Sequence, residues 1–210
     1  MRRALIVAAV AAAALTGMSC NPDGGPIFPM TIGSVWHTES YLLEGQAIAA
    51  LDTFETGVTT TTALEKAYLT TGQEVVRFMH ESTAHLHALD STYTATTYSL
   101  MGEEGDAIVS YVALDDTTGD TVMMSNPAVG QSWSQGPATA IVVGQEDVTV
   151  AAGTYKKAWK VKTITNIGGV TVQAFSWYAW GVGNVKMHYE GEYQGYSQVY
   201  NEELTSATIK

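Results

Sequence analysis

From Thr154 to Ile164 the chain reads TYKKAWKVKTI, with Tyr155, Trp159 and Val161 on one parity and Lys156, Lys160 and Lys162 on the other. An extended chain sends successive side chains to opposite faces, so this spacing predicts a strand half-buried at period two. Segment 185–190, VKMHYE, repeats the device, with Val185, Met187 and Tyr189 inward and Lys186, His188 and Glu190 outward. Further strands are expected at 34–43, 64–71, 74–80, 83–89, 91–101, 107–114, 121–124, 139–150, 170–179 and 196–209. Between 47 and 65 an Ala-rich stretch gives way to Thr59–Thr62, whose β-branched side chains favour strand over helix. Turn residues punctuate the runs at Thr71-Gly72, Gly102–Gly105, Asp116–Asp120, Ala152-Gly153 and Gly168-Gly169. Connections this short join antiparallel neighbours, because parallel ones need a crossover of about a dozen residues. The expected fold is all-β: roughly ten to thirteen strands in a strongly curved antiparallel sheet or incomplete β-barrel, after an N-terminal signal helix.

Composition agrees. Only 15% of the 210 residues are charged, against a usual ~25%, while Gly (20) and Tyr (11) are abundant, which suits pleated sheets better than a helical bundle. The net charge is −11, and it becomes −13 once a leader carrying Arg2 and Arg3 is removed. Nucleic acid is thereby excluded as a partner, since phosphate binding needs clustered cations. The one basic cluster, Lys156, Lys157, Lys160 and Lys162, reads as the wet side of a strand.

Residues 1–19 run from two arginines through an apolar stretch, Ala4–Leu15, to small and polar residues. Twelve apolar residues span ~18 Å as helix, too short for a ~30 Å hydrocarbon core, so the segment is read as a signal peptide. The chain's one cysteine, Cys20, follows it directly behind Ser19. This arrangement resembles the bacterial lipoprotein signal, with Leu15 two residues upstream of where that pattern places its leucine. The resemblance makes Cys20 the site of lipid attachment, with palmitate-like acyl chains holding the protein to a membrane of the cell envelope. Asn21, where inner-membrane retention would call for aspartate, favours the outer membrane over the inner. Residues 20–29, rich in proline and glycine, are expected to form a flexible tether, followed by a single β domain over 30–210.

Pro29-Met-Thr-Ile-Gly33-Ser-Val-Trp36 is echoed by Pro127-Ala-Val-Gly130-Gln-Ser-Trp133. In each, proline ends one element, glycine allows the bend and tryptophan anchors the incoming strand. Half-repeats over 28–126 and 127–210 are the expectation.

The C-terminal half carries Ala152-Gly153-Thr154-Tyr155, Ala158-Trp159-Lys160-Val161, Trp177-Tyr178-Ala179, Gly181-Val182-Gly183-Asn184-Val185-Lys186 and Glu203-Leu204. With Phe28-Pro29, Gly33 and Trp36, these motifs resemble bacterial envelope lipoproteins bearing a domain of unknown function of the DUF3108-like type. Trp180 stands where that family has proline. The resemblance implies a curved antiparallel sheet like those of periplasmic lipid carriers and brings no catalytic residue with it. Physically its motifs are structural: Gly153, Gly181 and Gly183 supply positive φ or close backbone approach, and the aromatics fill a core.

Sites of chemistry are scarce. His85 and His87, on a strand, would point the same way ~6.6 Å apart and share a metal if His80, Glu81 or Asp90 joined them, against a reading as surface histidines; no known zinc spacing is present, and no metal or cofactor is assigned. Asp115, Asp116 and Asp120 surround Thr117-Thr118-Gly119 without the alternation of a calcium loop, so a turn with a left-handed glycine is expected. No Gly-x-Ser-x-Gly elbow, phosphate loop or helical His-Glu pair occurs, and the one thiol is committed to lipid. Two acids from different strands leave no sequence signature, so a metal- or carboxylate-dependent hydrolase stays as the minor alternative. The sixteen Tyr and Trp residues can line a concave face. The expectation is a non-catalytic, lipid-anchored envelope lipoprotein binding an apolar small molecule or an envelope protein on that face. A purely structural or surface-exposed lipoprotein is the second reading. A transmembrane barrel would need outward apolar bands where this chain places lysines.

Overall fold

The structure, a computed structural model, describes residues 26–167, 170–193 and 195–210. The expected signal peptide, Cys20, Asn21 and the Gly168-Gly169 turn lie outside the described residues. Twelve strands follow in order: β1 (Val35–Gly45), β2 (Asp52–Tyr68), β3 (Glu74–Leu86), β4 (Ser91–Glu104), β5 (Ala107–Tyr111), β6 (Asp120–Met124), β7 (Ser132–Gln135), β8 (Ala138–Val150), β9 (Gly153–Ile167), β10 (Val170–Ala179), β11 (Gly183–Tyr193) and β12 (Tyr196–Thr208). Among the described residues the helical content is two single turns, Ile48–Ala50 and His87–Leu89.

All twelve strands form one antiparallel sheet in the order β6-β5-β4-β3-β2-β1-β12-β11-β10-β9-β8-β7. Every sequential neighbour is paired except β6 and β7, which are the two ends of the sheet. Side chains bring those ends together: Trp133 Nε1 on β7 donates to the Thr121 carbonyl of β6 at 3.0 Å. Asp120 Oδ1 accepts from the Gly136 amide at 2.9 Å. The result is a nearly closed barrel, laddered across β1–β12 and stitched by side chains across β6–β7. The seam is held by side chains in place of a backbone ladder.

The two Pro–Gly–Trp segments build the same turn. Gly33 (φ +82°) donates to Ala63 O, Ser34 to Thr31 O, and Ala63 to Ser34 O; Gly130 (φ +85°) donates to Val142 O, Gln131 to Ala128 O, and Val142 to Gln131 O. Each turn launches a strand beside its hairpin partner, β1 beside β2 and β7 beside β8.

Inside, the apolar core collects at the end where the described chain begins. Trp36 packs on Phe78 at 5.8 Å between ring centroids, and Phe28 meets Phe78 edge-on at 6.5 Å. Ile27 and Phe28 are fully buried there, so the packed body starts within the stretch 20–29 expected as tether. Two connections cap this end: the Gly181 amide donates to Pro26 O at 2.9 Å, and the Ala152 amide at the β8–β9 turn donates to Leu204 O at 3.0 Å.

The structure differs from the sequence expectations at several elements. Segments 74–80 and 83–89 are not two strands: β3 runs unbroken to Leu86 because Glu81 and Ser82 pair with Thr60 and Thr59 on β2, and 87–89 is a helical turn. β2 is seventeen residues long, absorbing the ambiguous threonine run. β7 has only four residues, too few for an alternation to register. In β9 the alternation of Tyr155 and Trp159 is interrupted by a bulge at Lys157 (φ +51°), so Tyr155 and Ala158 are both buried. Gly119 has no positive φ; it is needed because a Cβ there would lie 2.4 Å from Val109 Cγ1 and 2.6 Å from Ser110 O.

Candidate functional site

The register places the inward-facing side chains of the barrel in rows. One row runs Ser176–Met187–Glu202–Ser40–Gly57–Ala84–Tyr93 across β10, β11, β12, β1, β2, β3 and β4. The next runs Ala174–Tyr189–Tyr200–Leu42–Glu55–Leu86–Ser91. The first row begins buried and ends exposed: Glu202 is 5% exposed, Ser40 and Gly57 are half-buried, Ala84 is buried, and Tyr93 is 44% exposed. On β4 every residue from Ser91 to Tyr98 is exposed on both faces, although Tyr93, Ala95 and Thr97 belong to the inner one. The wall of the barrel is therefore open to solvent on the β4 side, and its lumen is reachable there.

Polar groups line this lumen. Glu202 on β12 accepts a hydrogen bond from Tyr200 Oη at 2.9 Å, and Thr38 on β1 adds a second. Burial pushes the Glu202 carboxyl up to about 7, against the pull of those two bonds. Tyr200 is raised by burial and by the adjacent Glu202, and Ser40 also bonds its hydroxyl. Two strands along the same wall, Glu55 on β2 is raised by burial, with its hydrogen bond to Tyr93 pulling the other way. Gly57 makes room for this cluster, since a Cβ there would stand 2.8 Å from Ser40 Oγ. Apolar groups complete the walls: Leu42, Val172, Ala174, Met187, Tyr189 and Tyr200 pack together, with Phe54 against them. The inner surface thus sets a neutral-leaning acid beside a packed apolar cluster, able to donate a hydrogen bond to an acceptor below pH ~7.

His85 and His87 lie side by side, but His80 is on the opposite face of the sheet. His80 faces inward, bonded through Nδ1 to Thr61 Oγ1 at 3.0 Å and through Nε2 to Ser99 Oγ at 2.8 Å. Burial holds it down to about 4. His85, of opposite parity, faces outward and meets the His87 ring edge-on at 4.6 Å, with Asp90 Oδ1 3.7 Å from its Nε2. His87 leaves the strand at the helical turn, bonding Thr56 Oγ1 at 3.1 Å. Among the described residues no three His, Cys, Asp or Glu side chains converge as a metal site. Asp116 Oδ2 accepts from the Val112 and Ala113 amides at 2.8 and 2.9 Å, shaping the β5–β6 loop.

Three of the lysines expected to face outward form ion pairs. Lys160 and Glu146 approach to 3.1 Å, Lys186 and Glu203 to 2.6 Å, and Lys156 and Asp147 to 2.6 Å. Trp177 lies among them, its Nε1 donating to Glu146 Oε1 at 2.7 Å and its ring 4.8 Å from Lys160 Nζ. Glu202, Glu55, Tyr200 and Tyr93 were missed in the sequence. One signal was available: Glu202 shares its parity with Tyr200 and Leu204, a charged residue on an otherwise buried face.

No family model and no curated protein matches the chain. Two solved structures do. An exported protein with a YmcC-like fold from Bacteroides fragilis aligns with a TM-score of 0.51 and 16% identity, over 89% of this chain and all of its own. A structure described as a lipoprotein from Parabacteroides distasonis aligns at 0.43 and 14% identity with the same coverage. The first alignment shows a shared fold. The DUF3108-like resemblance has no family match behind it.

Proposed function

We propose that this protein is a non-catalytic envelope lipoprotein, anchored through acylated Cys20, that holds an apolar molecule with a polar head in the lumen of its barrel. The observation that carries this reading is the row Glu202–Ser40–Gly57–Ala84–Tyr93, which passes from a buried acid to a solvent-exposed mouth along one inner surface. An apolar tail would lie against Leu42, Met187 and Tyr189, while Glu202 and Tyr200 meet the head. The non-catalytic reading draws support from the acids' engagement: Glu202 is held by Tyr200 and Thr38, and Glu55 by Tyr93. A place in the envelope is supported by the leader and Cys20, and by structural neighbours described as exported and as a lipoprotein. Asn21 favours the outer membrane.

Titration with a fluorescent fatty-acid probe tests the lumen. Saturable enhancement is expected, abolished by Ala95→Trp, which fills the mouth from the inner face, and retained in Thr96→Trp, which adds the same bulk outside. Absence of saturable binding, or equal loss in both variants, would overturn it.

A further inference from the structure

β4 is paired with β3 from Ser91 to Met101, but β5 joins its other side only from Leu100 onward. Residues 91–99, STYTATTYS, thus present a free backbone edge about 30 Å long. It contains no charge, proline or glycine, and its ladder to β3 shows no bulge. Proteins usually blunt such edges, and this chain does so elsewhere: β8, flanked by β7 only over its first four residues, carries two irregularities and the charged pair Glu146 and Asp147. The unguarded β4 edge is also where large apolar groups are exposed. Leu89 is 74% and Val112 92% exposed, and Tyr93, Tyr98 and Leu114 lie beside them.

We propose that this edge pairs with its own copy, antiparallel, in a two-fold dimer of the chain. Full use of residues 91–99 puts the axis at Ala95, so that each residue before it faces one equally far beyond it in the partner. Two features outside the ladder then fall into place. Leu89 and Asp90, at the tip of the β3–β4 hairpin, would reach the level of Leu100, which is paired with Arg77. There an open groove of about 300 Å³ is lined by Arg77, Tyr98, Leu100, Val112 and Leu114. Arg77, which already holds Glu65 at 2.8 Å, and Asp90 both belong to the outer face, where Asp90 would join that ion pair and Leu89 would meet apolar walls, twice per dimer. In a chain of net charge −11 this uncharged seam is where two copies can approach. Threonine faces threonine near the axis, a favourable cross-strand pairing. The ladder uses backbone groups and stands independently of the ligand reading.

Single cysteines at positions 91, 93, 95, 97 and 99 of the anchored protein, oxidised in its membrane, test the geometry. Cross-linked dimer is expected to peak at Ala95→Cys and fall off symmetrically, because only a residue on the axis meets itself. Sedimentation of the purified protein should show reversible dimer at concentrations on the order of micromolar, weakened at least about tenfold by Thr94→Lys with Thr96→Lys, which sets lysines opposite each other. These side chains are exposed, so the variant's unchanged thermal melt controls for folding and its unchanged probe binding separates this result from failure of the lumen reading. A chain monomeric up to about 100 µM, a cross-linking maximum at either end of the edge, or a dimer indifferent to the lysines would overturn the proposal, the last two leaving the edge to another strand.

Discussion

Glu202 and His80 are two titratable groups on one inner surface whose shifts oppose each other. The folded Glu202 sits at about 7 against 4.5 for the free side chain, so the folded state holds the extra proton between those values. Stability therefore falls as pH rises through that window, by about 3 kcal/mol over its full extent. His80 is held at about 4 against 6.5, so the folded state holds one proton fewer, and stability is lost as pH drops through that window. The slopes nearly cancel where they overlap. Denaturant titrations across about pH 4 to 8 should show a shallow profile in the wild type, stability rising with pH in Glu202→Gln, and falling with pH in His80→Gln. Parallel profiles in the two variants would contradict the assignment. None of this was legible in the sequence, because whether an inward polar residue is buried depends on which strand lies opposite it. His85 and His87 were easier to notice and do less.

At the scale of elements, strand positions were largely legible, since alternation is a property of a residue and its immediate neighbours. The pattern failed where one residue breaks the period. Lys157 occupies a left-handed conformation (φ +51°) that costs a non-glycine residue about 1 kcal/mol, and no local composition announces it. Lys157→Gly should raise the melting free energy by about that amount in thermal denaturation. Gly119 teaches the reverse lesson: a glycine beside aspartates suggests a left-handed turn, yet its role is close approach of the β5–β6 loop to Val109 and Ser110. Gly119→Ala is expected to cost about 1–3 kcal/mol by forcing that loop away, read as a lowered denaturation midpoint. The short seam strand β7 escaped notice because its partner across the seam is bound by Trp133 and Asp120, side chains that act over a distance no local pattern encodes.

For the whole molecule, the parity of the strands predicts a curved all-β body; the β1–β12 ladder joins its two halves into one sheet, and the side-chain seam between β6 and β7 brings that sheet's ends together. What a sequence cannot display is where such a barrel stays open. Here the gap lies along β4, and both the proposed ligand mouth and the proposed dimer seam derive from it. The proposed anchor is a separate matter that rests on Cys20: on that proposal, Cys20→Ser should move the protein from the membrane to the soluble fraction and remove the mass of the acyl chains. The most direct measurement of the account as a whole is native mass spectrometry of the protein purified from its own membrane. It should report a chain beginning at acylated Cys20 with an additional apolar molecule bound, lost when Ala95→Trp fills the mouth. An acylated chain carrying no such molecule, in the wild type and the variant alike, would contradict it.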